Sequence, residues 1–241
     1  MNKQQIKIDN KQQIKIDIIS DINCPWCYLG EARLQKAIDQ TKDKYDFQVQ
    51  FKPYELNPAA PQEGENKREY FVRNYGPAGL SRLTESSRHL VEAGKTEGVV
   101  FDFDKSTEVH NTFNGHRLIW LADQYGVQPQ IAKALFETNF TNGENVNDPA
   151  VLTRIGQEYG IPAERLNIFF NSEEGKNEVR ALEQQAQQAG ISGVPAFVIN
   201  DRYLISGAQP TETLVNVLQQ IAPVYQTIST EGASCEVGGN C

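Results

Sequence analysis

The stretch Ile18-Ile19-Ser20-Asp21-Ile22-Asn23-Cys24-Pro25-Trp26-Cys27-Tyr28-Leu29-Gly30 passes from a strand pattern to a helical one through two cysteines three positions apart. Upstream, residues 14–19 alternate and then turn continuously apolar, as a buried parallel strand does. Residues 20–23 read as a short loop. Downstream the spacing predicts a helix over 25–41, with Leu29, Leu34, Ala37 and Ile38 on its inner stripe. Pro25 suits the first helical turn, where its missing N–H is not needed. Phe47, Val49 and Phe51 alternate as a second strand that Pro53 ends. The result is a β-α-β unit with the cysteines at its strand-to-helix turn. On a helix, residues i and i+3 share a face, so the two sulfurs can meet as a disulfide or part as a dithiol.

Beyond this unit, residues 57–64 form a turn-rich loop. Residues 65–190 then read as almost wholly helical, with segments near 65–75, 77–95, 107–125, 128–141, 148–159, 162–171 and 173–189. The exception is a short extended piece at 99–103. Strand character resumes at Ala196-Phe197-Val198-Ile199, turns at Asn200-Asp201-Arg202 and returns through residues 203–206 as a hairpin. An amphipathic helix follows over 211–221. These elements predict an α/β fold: a mixed sheet with flanking helices, interrupted by a large all-helical insertion. The expected division is a discontinuous domain over 1–60 and 185–228, an inserted helical domain over 61–184, and a flexible tail over 229–241. At the other end, residues 2–9 repeat unchanged as 10–17, read here as a duplication without function.

Composition bounds the function. The 241 residues carry a net charge of −8 with 39% hydrophobic residues, which suits a packed core. An acidic balance argues against nucleic acid as a partner and against anionic membrane surfaces. Residues 1–20 show no apolar run with a cleavage site, and no stretch approaches the ~18 apolar residues of a span. A cytoplasmic location is therefore expected. Four cysteines are too few for a disulfide scaffold, and in a reducing compartment a Cys-x-x-Cys points to catalysis or metal.

A thiol–disulfide exchange site needs an accessible, partly ionised thiol and a second thiol that expels the mixed disulfide. Cys24, at the helix N-terminus, sits where the macrodipole favours thiolate. Cys27, one turn in, is expected to be the buried resolving thiol. Pro25 and Trp26 between them tune direction and rate. A four-thiolate zinc site with Cys235 and Cys241 is the competing reading, although Cys-x5-Cys is an unusual ligand spacing. No metal is expected.

Ser20-Asp21-x-x-Cys24-Pro25-Trp26-Cys27-Tyr28-x-Gly30, the segment Phe51-Lys52-Pro53-Tyr54-Glu55-Leu56-Asn57-Pro58, Gly193-Val194-Pro195-x-Phe197-Val198 and Ser206-Gly207-Ala208-Gln209 together resemble the FrnE-like branch of the DsbA family. The resemblance covers roughly residues 14–225. It implies a thioredoxin-like fold and thiol–disulfide oxidoreductase or disulfide isomerase activity on protein substrates that carry thiols or disulfides. No cofactor is implied beyond the redox-active cysteines, with glutathione or a thioredoxin system as electron partner. By the same resemblance Pro195 is a cis proline facing the cysteines, and it aims the backbone of Val194 at an extended substrate. Two departures stand out. The dipeptide holds no His, so the oxidising poise of periplasmic relatives does not carry over, and no export signal is visible. Relatives with Ser at the first cysteine are glutathione-dependent isomerases or transferases of small molecules; Cys24 weighs against that reading. A non-enzymatic zinc-binding or redox-sensing module is the third.

Cys235 and Cys241 form a candidate second redox pair, loosely resembling the C-terminal pair of some FrnE-like proteins. Asp21, Tyr28 and Trp26 border the active pair, the first two as tuning residues and Trp26 as an exposed contact. His110 and His116 are expected on one helix as polar or half-buried residues, one of them able to line the cleft. Tyr54, Phe71, Tyr75 and Phe113 are expected in the core.

Overall fold

A computed structural model of the chain describes residues 11–221. Strand β1 (Gln12–Ser20) leads through a tight turn into α1 (Pro25–Thr41), and β2 (Tyr45–Pro53) returns parallel to β1. Strands β3 (Glu65–Asn66) and β4 (Glu108–Val109) pair with each other within the helical region. That region contains α2 (Lys67–Tyr75), α3 (Pro77–Glu97), α4 (Phe113–Asp123), α5 (Gln128–Glu137), α6 (Pro149–Glu158), α7 (Ala163–Phe170) and α8 (Lys176–Gln188). Strands β5 (Ala196–Ile199) and β6 (Tyr203–Ser206) then complete the sheet, and α9 (Thr211–Ile221) packs beside α1. The sheet order is β2-β1-β5-β6, with β5 antiparallel to both of its neighbours. This is the thioredoxin-like fold, with helices inserted between β2 and β5.

Strand periodicity decides the layers. Ile14, Ile16 and Ile18 point to one face and join the main core with Leu34, Phe197, Leu214 and Leu218. Ile19 points to the other face, where it meets Ala186 of α8, Ile191 and Ala196. The main core continues without a break into the helical region through Leu118, Leu135, Phe136 and Phe140. In the β5–β6 hairpin, Asn200 and Asp201 both take left-handed φ values of 51° and 55°. A short polar side chain tolerates that geometry, and the right-handed twist of a hairpin favours it.

Three sequence expectations need correction. The helix foreseen over 107–125 begins at Phe113, because Glu108 and Val109 pair with Asn66 and Glu65. Residues 99–103 form no strand; Phe101 anchors them by burial, and Asp102 N–H donates to Phe140 O at 2.8 Å. Residues 138–142 do not continue α5 as an α-helix but widen into a π-helical turn. The first repeat copy and Cys235 and Cys241 lie outside the described residues.

Candidate active site

Cys24 is the N-cap of α1, with extended backbone (φ −94°, ψ 108°) and Pro25 as the first helical residue. Its carbonyl already accepts from Cys27 N–H at 2.9 Å, so the helix starts at the motif itself. Proline fixes φ near the helical value, which locks this start. Against Cys24 stands the loop that precedes β5. The Val194–Pro195 peptide is cis, and the Cys24 thiol lies 3.7 Å from Val194 O, to which it donates. Gly207 N–H donates to Pro195 O at 2.8 Å, and Arg33 of α1 donates to Ala208 O at 2.7 Å. A Cβ at Gly30 would come within 3.1 Å of Pro195 Cγ and 3.3 Å of Phe197 Cζ. Glycine at that position lets α1 approach the proline loop closely.

Neither thiol is exposed on the open surface: Cys24 is 4% and Cys27 1% accessible. Access to Cys24 runs through a cleft of about 400 Å³ that it lines together with Pro25, Trp26, Leu56 and residues of α2 and α3. Burial pushes the Cys27 thiol well above the usual range, and its hydrogen bond to Cys24 and the charge there act in the same direction. The two cysteines therefore have distinct surroundings: one opens on a cleft, the other is enclosed.

Asp21, fully buried, organises the turn before the motif. Its carboxylate accepts from Asn23 N–H (3.1 Å), Leu56 N–H (2.7 Å) and Thr112 Oγ1 (2.9 Å), and His116 Nε2 lies 3.5 Å away. One side chain thus ties the β1–α1 turn to the segment after β2 and to α4. Asn139, on the π-helical turn, adds a second tie through Ile22 O (3.0 Å) and Asn23 Oδ1 (3.3 Å). Such turns recur at functional sites because they re-aim a side chain.

Other predicted residues fall differently. His110 precedes α4 rather than lying on a helix, and both histidines are buried, at 3% and 2% accessible. His116 faces Asp21 and a separate cavity of about 210 Å³ beside β2, not the cleft at Cys24. Tyr28 turns into the core, stacked on Phe136 at 5.5 Å and edge-on to Phe101 at 5.4 Å. Trp26 is half-buried, its ring 5.6 Å from that of His89 in α3. Phe71 and Tyr75, expected in the core, line the cleft instead, and Tyr75 is 55% exposed. Tyr54 is half-buried against the Ile19 cluster, and Phe113 lies under the Arg180 guanidinium at 4.0 Å.

The sequence reading missed Thr112, Asn139 and Lys67. A signal existed for the first: Thr112 and His116 sit i, i+4, two polar residues on the face of a helix otherwise rich in Leu and Ile. For Asn139 and Lys67 no local pattern marks the position.

Among the described residues no three His, Cys, Asp or Glu side chains gather as a metal site, and no helix is long and apolar enough to cross a membrane. The four-thiolate zinc arrangement needs Cys235 and Cys241, which are not described.

A Cys-x-x-Cys capping the first helix of this sheet, opposite a cis proline, is set in a thioredoxin-like fold. Comparison with known proteins agrees. The chain belongs to the DSBA-like thioredoxin domain family, whose model it matches over residues 15–219, and so to a family of thiol–disulfide oxidoreductases. It is similar to a probable DsbA oxidoreductase from Streptomyces coelicolor at 29% identity, with a TM-score of 0.81 over 94% of this chain and 100% of the other. The fold is also similar to that of a 2-hydroxychromene-2-carboxylate isomerase (14% identity, TM-score 0.66, 86% of this chain and 95% of that one). The cytosolic disulfide reductase DsbM from Pseudomonas aeruginosa, solved with GSH, shares the fold at 16% identity and a TM-score of 0.61, over 86% of this chain and 98% of the other.

Proposed function

We propose that this protein is a protein thiol–disulfide oxidoreductase and disulfide isomerase of the FrnE-like branch, working in the cytoplasm through Cys24 and Cys27. The supporting observation is the asymmetry of the pair: Cys24 opens on the cleft beside Val194 O, whereas Cys27 is enclosed and its thiol is pushed up by burial. The Cys24 thiolate attacks one sulfur of a substrate disulfide, forming a Cys24–substrate disulfide and releasing the other substrate sulfur as thiolate. Cys27, on losing its proton, attacks the Cys24 sulfur. The second substrate thiolate leaves, and a Cys24–Cys27 disulfide remains. Two electrons pass from the dithiol to the substrate, and glutathione or a thioredoxin-class dithiol restores the reduced pair.

The Val194 backbone receives the extended substrate, and Pro195 presents it. Trp26 contacts substrate at the rim of the cleft; Pro25, Asp21 and Tyr28 set the environment of the pair. The helical insertion, residues 61–184, acts as a cover over the cysteines carried by 1–60 and 185–228. Cys235 and Cys241 serve as a relay to Cys24, dispensed with if Cys235→Ser/Cys241→Ser leaves turnover unchanged. Insulin reduction and refolding of scrambled ribonuclease test the central reading. Both activities should vanish in Cys24→Ser; activity retained in that variant would reject it.

The low-identity likeness to the chromene-carboxylate isomerase raises a second reading, a glutathione-dependent isomerase or transferase of small substrates. What favours small substrates in this chain is the enclosed cleft at Cys24.

A further inference from the structure

The cleft that meets Cys24 has a wall chemistry of its own. Its rings and aliphatic groups include Trp26, Phe71, Leu83, Leu90, Phe103 and Phe140. Among the described residues two cations line it, Lys67 and Arg82, and no Asp or Glu does, in a chain whose net charge is −8. Lys67 is the notable one. Its ammonium donates to Ser106 O at 2.7 Å and to Ser106 Oγ at 2.9 Å, and it lies 5.8 Å from the ring centres of both Phe103 and Phe140. Among the described residues no carboxylate pairs with it. Burying a charge is costly, and proteins ordinarily offset that cost with an opposite charge. An ammonium left with neutral acceptors inside an apolar cleft is a place for an anion. The cleft volume, about 400 Å³, falls in the range of small-molecule sites.

We propose that Lys67 anchors the carboxylate of a low-molecular-weight organic disulfide whose apolar, ring-sized body fills the cleft and presents its sulfur to Cys24. This rests on the exchange chemistry proposed above and adds a substrate class to it. The step is the same exchange: the Cys24–Cys27 dithiol becomes a disulfide, and the substrate R–S–S–R leaves as two molecules of R–SH. A dithiol reductant restores the enzyme. Arg82, exposed at the same cleft, favours the approach of an anion without burying it.

Lys67 also predicts how this preference titrates. Burial lowers its ammonium to about 8, so anchoring is present below that pH and fades above it; His110, which faces Lys67, is held below its usual value by burial and by that ammonium and so loses its proton earlier. Thiol ionisation runs the other way, and an uncharged substrate separates the two effects.

The test uses the full chain, reduced beforehand, with dithiobis(nitrobenzoate) and its bis-carboxamide as matched probes. The unsubstituted protein is expected to prefer the carboxylate by about tenfold in kcat/KM, the scale of one charge-assisted hydrogen bond. That ratio should collapse towards one in Lys67→Met, persist in Lys67→Arg, and decline in the unsubstituted chain as pH passes about 8. A ratio near one in the unsubstituted chain, or a ratio that Lys67→Met leaves intact, overturns the proposal while the exchange chemistry stands. So does equal or faster turnover of oxidised glutathione, a polar tripeptide that leaves the ring-lined walls unfilled. Failure to reduce either probe overturns the exchange chemistry itself. The pH series in the unsubstituted chain decides the matter even if Lys67→Met fails to fold.

Discussion

The Cys24 sulfur lies 3.7 Å from the carbonyl oxygen of Val194, a residue 170 positions further along the chain. That contact joins the helix N-terminus to the cis-proline loop and, in the proposed exchange, marks where a substrate sulfur would arrive. Strands β1 and β5 hold the two sides in register, Ile19 opposite Ala196 and Ile18 opposite Phe197. A sheet pairing thus fixes a thiol against a backbone carbonyl that no local sequence feature connects.

Removal of the resolving thiol should trap the first intermediate. In Cys27→Ala, made in a Cys235→Ser/Cys241→Ser background, a disulfide substrate is expected to remain bound to Cys24 as a mixed disulfide, because no internal thiolate is left to expel it. Mass spectrometry of the denatured, acid-quenched protein would show one substrate adduct per chain. The same treatment of Cys24→Ala in that background should show none, since Cys27 is enclosed and its thiol is pushed up by burial. Adducts on Cys27 at comparable rate would reverse the assignment of roles.

Glu31 on α1 carries a pH-dependent cost. Burial raises its carboxyl from 4.5 to about 7, with Glu137 adding to the effect and Lys133 opposing it. The unfolded chain releases this proton near 4.5 and the folded chain only near 7. Between those values the folded state holds the extra proton, so its contribution to stability falls as pH rises and levels off above about 7. Glu31→Gln should remove that fall. Urea unfolding of both proteins at about pH 5 and about pH 7.5 checks it: the variant should gain relative stability at the higher value. No change in the difference would show that Glu31 titrates normally.

Arg117 stabilises the insertion by geometry rather than by pairing. Only 1% accessible, its guanidinium donates to Glu174 O at 2.7 Å, Phe169 O at 2.9 Å, Ser172 O at 2.9 Å and Asn114 Oδ1 at 3.0 Å. The same group lies over the Phe169 ring at 4.6 Å. A lysine cannot reproduce the planar fork, and Arg117→Lys should lower stability by about 2–4 kcal/mol in chemical denaturation. A loss below about 0.5 kcal/mol would mean that solvent replaces those donors.

How far the site was legible depended on the range of the interaction behind each residue. Cys24, Pro25 and Cys27 announced themselves because a helix start is local chemistry: an extended residue, a proline and an i, i+3 spacing. Asp21 was marked by its nearness to the motif, but its three donors were not, since they come from the loop, from Leu56 and from Thr112. His116 was weighed against His110 as a pair. Its actual neighbour is Asp21, brought there by the packing of α4. Residue type alone sends aromatic rings to the core; the cleft between α2, α3 and the motif takes Phe71 and Tyr75 instead.

By itself the sequence determined the β-α-β unit, the hairpin, the helical character of the middle of the chain and the Cys-Pro-Trp-Cys start of α1. Periods of two and 3.6 residues and the fixed φ of proline act over a few neighbours and are written there directly. The tertiary structure alone decided that Cys24 opens on a cleft, that Asp21 and His116 meet behind the turn, and that Lys67, with no carboxylate partner among the described residues, stands among rings in that same cleft. Each of these depends on segments from about 30 to about 120 positions apart, brought together by burial of apolar surface, which has no direction and no period. The opening stretch sets Cys24 at the start of α1; the packing of the helices over it shapes the cleft that Cys24 lines.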